Sequence, residues 1–131
     1  MAAARLRSPV GRAIGLGSAK EGVEHWWLQR VTAVALVPLT LWFVVAVVRL
    51  SSADIDTARD WVGRPLPSIL LVLLLIATFW HVSLGLQVVI EDYIRGELAR
   101  LGLVIVTRLA CIALAVAGIV SVLALALGAA D

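Results

Sequence analysis

The chain has 131 residues, of which 62% are hydrophobic and 15% are charged, and its formal net charge is +2. Soluble domains are about 45–50% apolar and about 25% charged, so this composition excludes an ordinary soluble protein and a disordered chain. The single cysteine, Cys111, cannot form a disulfide within the chain or a cysteine framework for zinc or an iron–sulfur cluster. In so apolar a sequence the Arg and Lys residues set membrane orientation, and nucleic-acid binding is not expected.

Three uncharged stretches, residues 31–48, 65–90 and 109–130, predict membrane-spanning helices. Each reaches the roughly 18 apolar residues that mark a spanning candidate. We therefore predict an all-α membrane protein with a single membrane domain. Its expected parts are a cytoplasmic arm and interfacial segment (1–30), transmembrane helices 1 (31–50), 2 (65–93) and 3 (108–128), an external loop (51–64) and a cytoplasmic loop (94–107).

The N-terminal arm carries basic residues and has no acidic residue before Glu21. It has no apolar core, which excludes a secretory signal. A mitochondrial presequence and the flexible cytoplasmic arm of a bacterial protein both fit this composition, and we favour the second. Trp26 and Trp27, just before the first span, are expected at the level of the lipid headgroups.

The distribution of positive charge predicts the orientation of the chain. Eight Arg and Lys residues lie in the arm and the second loop, against three in the first loop. Basic residues accumulate on the cytoplasmic side of a membrane. The N-terminus is therefore expected in the cytoplasm and the C-terminus outside, in a multi-pass protein of the bacterial cytoplasmic (inner) membrane.

His81 is the only ionisable residue well inside a predicted span. Such residues are rare in membranes and usually functional, and imidazole is a good ligand for haem iron. The alternative is a neutral histidine bonded to a neighbouring helix, and position alone does not separate the two. Gly85 lies one turn further along and Asp92 about 20° away in projection, so these three residues form a stripe.

Each neighbour of His81 also has an ordinary explanation. Gly85 fits close helix packing, Asp92 fits a solvated loop charge, and Tyr93 fits an aromatic anchor at the membrane interface. The only Met is Met1, and the only other His, His25, precedes the first span. A haem with two axial histidines would therefore need its second ligand from another polypeptide, which indicates that the chain is a subunit.

Two segments carry a resemblance to a known family. They are GSAKEGVEHWWLQRVTA, residues 17–33, and HVSLGLQVVIEDY, residues 81–93, which fits the pattern HxxxGxxxxxxDY. With its three spans, the chain resembles the small hydrophobic membrane anchors of succinate dehydrogenase (respiratory complex II), of the alphaproteobacterial type.

The resemblance implies specific roles. His81 would be an axial ligand to the iron of a haem b shared with a second three-helix anchor subunit, a cytochrome b subunit, with Gly85 beside the ring. Tyr93 would donate a hydrogen bond to a ubiquinone carbonyl, Asp92 would assist proton delivery, and Arg30 would lie near the haem propionates and the quinone pocket. His25 does not match the family pattern cleanly and receives no role beyond a contact with this region.

The resemblance also implies partners. A flavoprotein subunit with FAD and an iron–sulfur subunit would oxidise succinate, so this chain would not be catalytic alone. Two alternatives stay open: the anchor of a quinol:fumarate reductase, and a haem-free structural anchor in which His81 is only a packed residue.

The predicted topology can be tested with reporter fusions. A reporter fused after Asp131 should read as external, and one inserted in the 94–107 loop should read as cytoplasmic, because the charge bias orients both ends. A cytoplasmic signal after Asp131 would mean that one of the three stretches does not cross the membrane.

Overall fold

The computed structural model describes the backbone of residues 18–128 and side chains from residue 22 onward. The basic arm over residues 1–17, its proposed targeting, and residues 129–131 lie outside the described part. The described chain is helical, with short connections. Its helices are α1 (Ser18–Leu50), α2 (Ile55–Gly63), α3 (Pro65–Tyr93) and α4 (Glu97–Ala126). Among them, α1, α3 and α4 are long and apolar enough to cross a membrane, which confirms the prediction of an all-α chain with three candidate spans.

α1 and α4 both begin before their predicted spans, at the end of the bundle that the sequence predicts to be cytoplasmic. α1 begins at Ser18, so residues predicted as an interfacial segment are helical and continuous with the first span through Pro38. α4 begins at Glu97 rather than at Arg108, which leaves only residues 94–96 of the predicted 94–107 loop as a connection. The physical reason is that charge marks where a helix leaves the hydrocarbon, whereas the backbone hydrogen bonds continue into the interface.

The predicted external loop contains the short helix α2. Asp54 caps it, because its carboxylate accepts a hydrogen bond from the Thr57 backbone N–H at 3.3 Å. Hydrogen bonds from the Thr57 side chain and backbone lower the pKa of the Asp54 carboxyl. At the other end of α2, Trp61 stacks on Trp42 of α1, with ring centroids 5.7 Å apart. This stacking gives the short helix an apolar support that composition alone did not reveal.

A tight corner joins α2 to α3. The buried Ser68 hydroxyl lies 2.6 Å from the Val62 carbonyl oxygen and 2.8 Å from that of Arg64, so it bonds to backbone at the end of α2. Pro65 occupies the first turn of α3, as expected for a residue that lacks an N–H. A Cβ on Gly63 would lie 3.2 Å from the carbonyl oxygen of Leu125, which shows how closely α2 approaches α4.

α3 is the central element, because it packs along both α1 and α4. The buried apolar side chains of the described part are mostly small: Ala46, Ala77, Leu84, Cys111 and Val122. Small residues let membrane helices approach closely. Gly118 of α4 is the tightest such contact among the described glycines, since a Cβ there would lie 3.0 Å from both methyl groups of Leu75.

The Gly118 contact predicts a difference between two glycines of α4. Gly118→Val should lower the free energy of unfolding by about 1–3 kcal/mol, because the added methyl groups overpack the contact with Leu75. Gly102→Val is the matched control, since a Cβ there meets nothing within 4 Å. Thermal denaturation of the detergent-solubilised protein compares the two. Equal stability of both variants would show that the α3–α4 approach does not depend on Gly118.

Candidate functional site

His81 is half-buried on α3 and contacts α1 through one polar atom. Its Nδ1 lies 3.1 Å from the Thr32 hydroxyl oxygen. The same hydroxyl lies 2.7 Å from the carbonyl oxygen of Leu28, one turn earlier in α1. In the described part of the chain, no hydrogen bond reaches the other ring nitrogen, Nε2. The histidine is therefore tethered at one nitrogen, while the other is available to a group outside these helices.

Gly85 keeps open the surface one turn from His81. A Cβ built on Gly85 would meet no atom within 4 Å, so this glycine is not required by packing within the described helices. Packing against another helix of this chain therefore does not explain Gly85, and packing against a helix of another polypeptide stays open. The gap can accept a flat ring or a helix of another polypeptide.

Asp92 and Tyr93 form the last residues of α3. Tyr93 is 79% exposed, and Asp92 is also exposed. α3 ends directly after them, with the Ile94 N–H donating to the Ile90 carbonyl. Both polar groups thus project beyond the packed part of the chain, where a partner protein or a ligand can contact them.

Arg30 lies on a different side of α1 from Thr32. Its guanidinium carbon lies 5.3 Å from the ring centroid of Trp26, a cation–π contact. Two residues along a helix differ by about 200°, so Arg30 points away from the side on which Thr32 meets His81. Within the described chain, the predicted site residues therefore do not converge on one pocket.

The contact between Thr32 and His81 sets the register of α1 against α3, so the positions of Arg30 and Tyr93 along the helix axes can be compared. At 1.5 Å per residue, Arg30 is roughly 3 Å nearer the N-terminal end of α1 than Thr32, and Tyr93 is roughly 18 Å nearer the C-terminal end of α3 than His81. α1 and α3 run in opposite directions, so both displacements have the same sense. Arg30 lies close to the level of His81, whereas Tyr93 lies about 15 Å further than Arg30 toward the same end of the bundle.

A cleft of about 970 Å³ opens on another face of α3, between the N-terminal part of α1 and α4. Its deeper wall is apolar, and the end near the C-terminus of α3 holds a chain of polar side chains. There Arg108 donates to the side-chain Oε1 of Gln87 at 2.9 Å, and the side-chain Nε2 of Gln87 donates to the Glu91 carboxylate at 2.8 Å. This arrangement gives Arg108, which lies three turns into α4, a polar partner on α3.

His25 also lines this cleft, and its Nε2 is buried with no hydrogen-bond partner in the described residues. Seven residues separate it from Thr32, so the two share one side of α1 and lie roughly 10 Å apart along its axis. His25 is consequently closer in depth to Tyr93 than to His81. Its position does not contribute to the environment of His81.

Sequence reasoning missed Thr32, and it missed Gln87 and Arg108 as a bonded pair. Thr32 is one of two threonines in the first apolar stretch. A threonine hydroxyl in a helix can donate its hydrogen bond to a backbone carbonyl of the preceding turn, so its presence there does not indicate an interhelical contact. Nothing in the sequence sets the register of α1 against α3. For the Gln87–Arg108 pair, the only indication in the sequence was that Gln87 and Glu91 lie one helical turn apart.

The donor set limits the kind of metal that the chain can bind. In the part that the structure describes, no three His, Cys, Asp or Glu side chains lie close enough together to hold a metal ion. A metal ion bound by this chain's side chains alone is therefore not supported there. An axial haem ligand requires only one imidazole with a free nitrogen and space beside it, and His81 with Gly85 meets both requirements.

Comparison with known proteins gives the family. The family described as succinate dehydrogenase/fumarate reductase transmembrane subunit matches residues 4–122. The chain is 39% identical to the succinate dehydrogenase hydrophobic membrane anchor subunit of Rickettsia bellii, over 89% of this chain and 94% of the relative. The protein of the same name from Paracoccus denitrificans is 37% identical, over 70% of this chain and 71% of the relative.

A succinate dehydrogenase membrane anchor subunit from Reclinomonas americana is 35% identical, over 71% of this chain and 80% of that protein. No solved structure matches the chain. The chain belongs to the succinate dehydrogenase/fumarate reductase transmembrane subunit family. This result confirms the resemblance seen in the sequence and, with the three candidate spans, the predicted multi-pass membrane location.

Proposed function

From this family membership we propose that the chain anchors a succinate:ubiquinone oxidoreductase to the membrane, shares a haem b with a second anchor subunit and forms part of the ubiquinone-reduction site. The names of the relatives support the anchoring role. The remaining members of the complex would be a flavoprotein with FAD, an iron–sulfur subunit and a cytochrome b anchor subunit. This chain alone would catalyse no reaction.

The observation that carries the haem assignment is the state of His81. A polar ring at this depth needs a partner for each nitrogen, because the hydrocarbon supplies no water. Thr32 satisfies Nδ1, and no residue in the described helices satisfies Nε2. A haem iron would satisfy it, and the open surface at Gly85 supports a flat macrocycle beside the ring.

Bound haem b supplies one-electron redox chemistry, and the other axial histidine would come from the partner anchor. Arg30 lies near the depth of His81 and carries a permanent positive charge suited to the haem propionates, but its side chain lies against Trp26 on the other side of α1, so this contact would require a change of rotamer. Arg30 and Tyr93 differ by about 15 Å in depth, so Arg30 is poorly placed to contact a quinone ring that is bound at Tyr93. We therefore assign Arg30 first to the haem and only secondarily to the quinone pocket.

The quinone assignment rests on the end of α3. A quinone carbonyl accepts a hydrogen bond and must gain a proton when it is reduced. The exposed Tyr93 hydroxyl can donate this hydrogen bond, and the neighbouring Asp92 carboxylate can hold a water or pass a proton. Because both side chains project beyond the packed helices, the rest of the pocket would come from the partner subunits.

Two alternatives differ from this proposal in testable ways. A quinol:fumarate reductase would share the same fold, and the family includes both activities, but the relatives compared above are named for succinate dehydrogenase. A haem-free structural anchor would leave the Nε2 of His81 against a partner helix. Haem absorption by the purified complex separates that last case from the other two.

The haem assignment predicts the effect of removing the imidazole. His81→Ala should abolish low-spin haem absorption or convert it to a high-spin spectrum, because one axial bond is lost. Ser83→Ala on the cleft side of the same helix is the control and should leave the spectrum unchanged. A low-spin spectrum that persists in His81→Ala would place the ligand on another residue.

The quinone assignment predicts the effect of removing one hydroxyl. In a haem-replete complex, Tyr93→Phe should reduce ubiquinone at least about 10-fold more slowly, since a hydrogen bond to developing charge is worth roughly 1.5–3 kcal/mol. Electron transfer from succinate to an artificial acceptor upstream of the quinone serves as the internal control and should be unchanged. Asp92→Asn should show a milder loss with an altered pH dependence. If the Tyr93→Phe complex reduces ubiquinone at the wild-type rate, Tyr93 serves only as an aromatic anchor at the membrane interface.

A further inference from the structure

We propose that Thr32 is a positioning residue for His81: it selects the ring tautomer and leaves Nε2 as the nitrogen that carries the lone pair. This inference rests on the proposed role of His81 as a haem ligand and adds a residue to which neither the sequence nor the comparisons assign a role. It begins with the 3.1 Å contact between the Thr32 hydroxyl and Nδ1, which joins residues of two different spans.

The direction of this hydrogen bond follows from counting protons. A threonine hydroxyl has one proton to donate and two lone pairs that can accept. The Thr32 oxygen lies 2.7 Å from the Leu28 carbonyl oxygen and 3.1 Å from that of Gln29, and carbonyl oxygens can only accept. The hydroxyl proton is therefore directed to the backbone of α1. The contact with His81 then requires Nδ1–H as donor and the Thr32 oxygen as acceptor.

This arrangement determines which nitrogen can bind a metal. A neutral imidazole has one N–H and one lone pair, so a proton on Nδ1 leaves the lone pair on Nε2. The ring nitrogen that α1 does not occupy is thus the one able to coordinate iron.

Threonine suits this task because of its shape. Within a helix its side chain has few rotamers, and the hydroxyl bonds back to a carbonyl of the preceding turn. The acceptor is consequently held in place before the histidine contacts it. In metal sites generally, a hydrogen bond from the second nitrogen fixes the orientation of the ligand and raises its basicity.

Removing the acceptor should therefore change the haem itself. In the assembled complex, Thr32→Val keeps the shape of the side chain but removes the hydroxyl, so it weakens His81 as an iron donor. We expect the midpoint potential of the haem to shift upward and the low-spin electron paramagnetic resonance signal to shift. Haem binding should weaken by about 10–100-fold, the range typical of lost partners of metal ligands.

Three further variants isolate the hydroxyl from packing. Thr32→Ser restores the acceptor and should behave nearly as wild type. Thr32→Ala removes hydroxyl and methyl together and should match Thr32→Val if the hydroxyl is responsible. Thr40→Val makes the same change at an exposed position of α1 and should leave the haem unchanged. If Thr32→Val fails to assemble, the contrast between Thr32→Ala and Thr32→Ser answers the same question.

The outcomes separate this inference from the proposed function. An upward shift in Thr32→Val and Thr32→Ala, but not in Thr32→Ser, supports it. A wild-type potential, resonance signal and haem retention in Thr32→Val would overturn it, as would equal shifts in Thr32→Ala and Thr32→Ser. In those cases loss of low-spin haem in His81→Ala would leave the haem assignment intact. Low-spin haem that survives His81→Ala would overturn both.

Discussion

A bilayer offers no water to a polar side chain, and this constraint determines where the polar residues of this chain lie. At the depth of the spans each donor or acceptor must find a partner in a helix, in another subunit or in a cofactor. Thr32 satisfies itself and one nitrogen of His81. Gln87 bonds to both Glu91 and Arg108 near the C-terminal end of α3. The nitrogen of His81 that these helices leave without a partner is the basis for the haem assignment.

The central helix α3 presents different chemistry on its different sides. One side meets α1 through His81, while another lines the cleft shared with α4 through Gln87. A Cβ on Gly85 would meet no atom within 4 Å, so another molecule can lie against this position without displacing a side chain of the described helices. A helix with apolar residues all round, small buried contacts and an open position at Gly85 is suited to assembly with a partner more than to independent function.

Much of this could be predicted from the sequence. Uncharged length identified the three spans, and the rarity of an ionisable residue in hydrocarbon identified His81. The short helix α2 was missed because its support comes from Trp42, a residue of another helix. Thr32 was missed because its role depends on the register of α1 against α3, which no local pattern encodes. The separation in depth between Arg30 and Tyr93 could not be predicted either, because it follows from the Thr32–His81 contact that aligns α1 with α3.

The most direct test is a structure of the assembled complex in a lipid nanodisc. We expect a haem iron at coordination distance from the Nε2 of His81, with Nδ1 still hydrogen-bonded to Thr32 and the macrocycle passing over Gly85. The second axial ligand should come from another subunit. A complex in which His81 packs against a partner helix, with haem bound elsewhere or absent, would contradict the proposed role of His81.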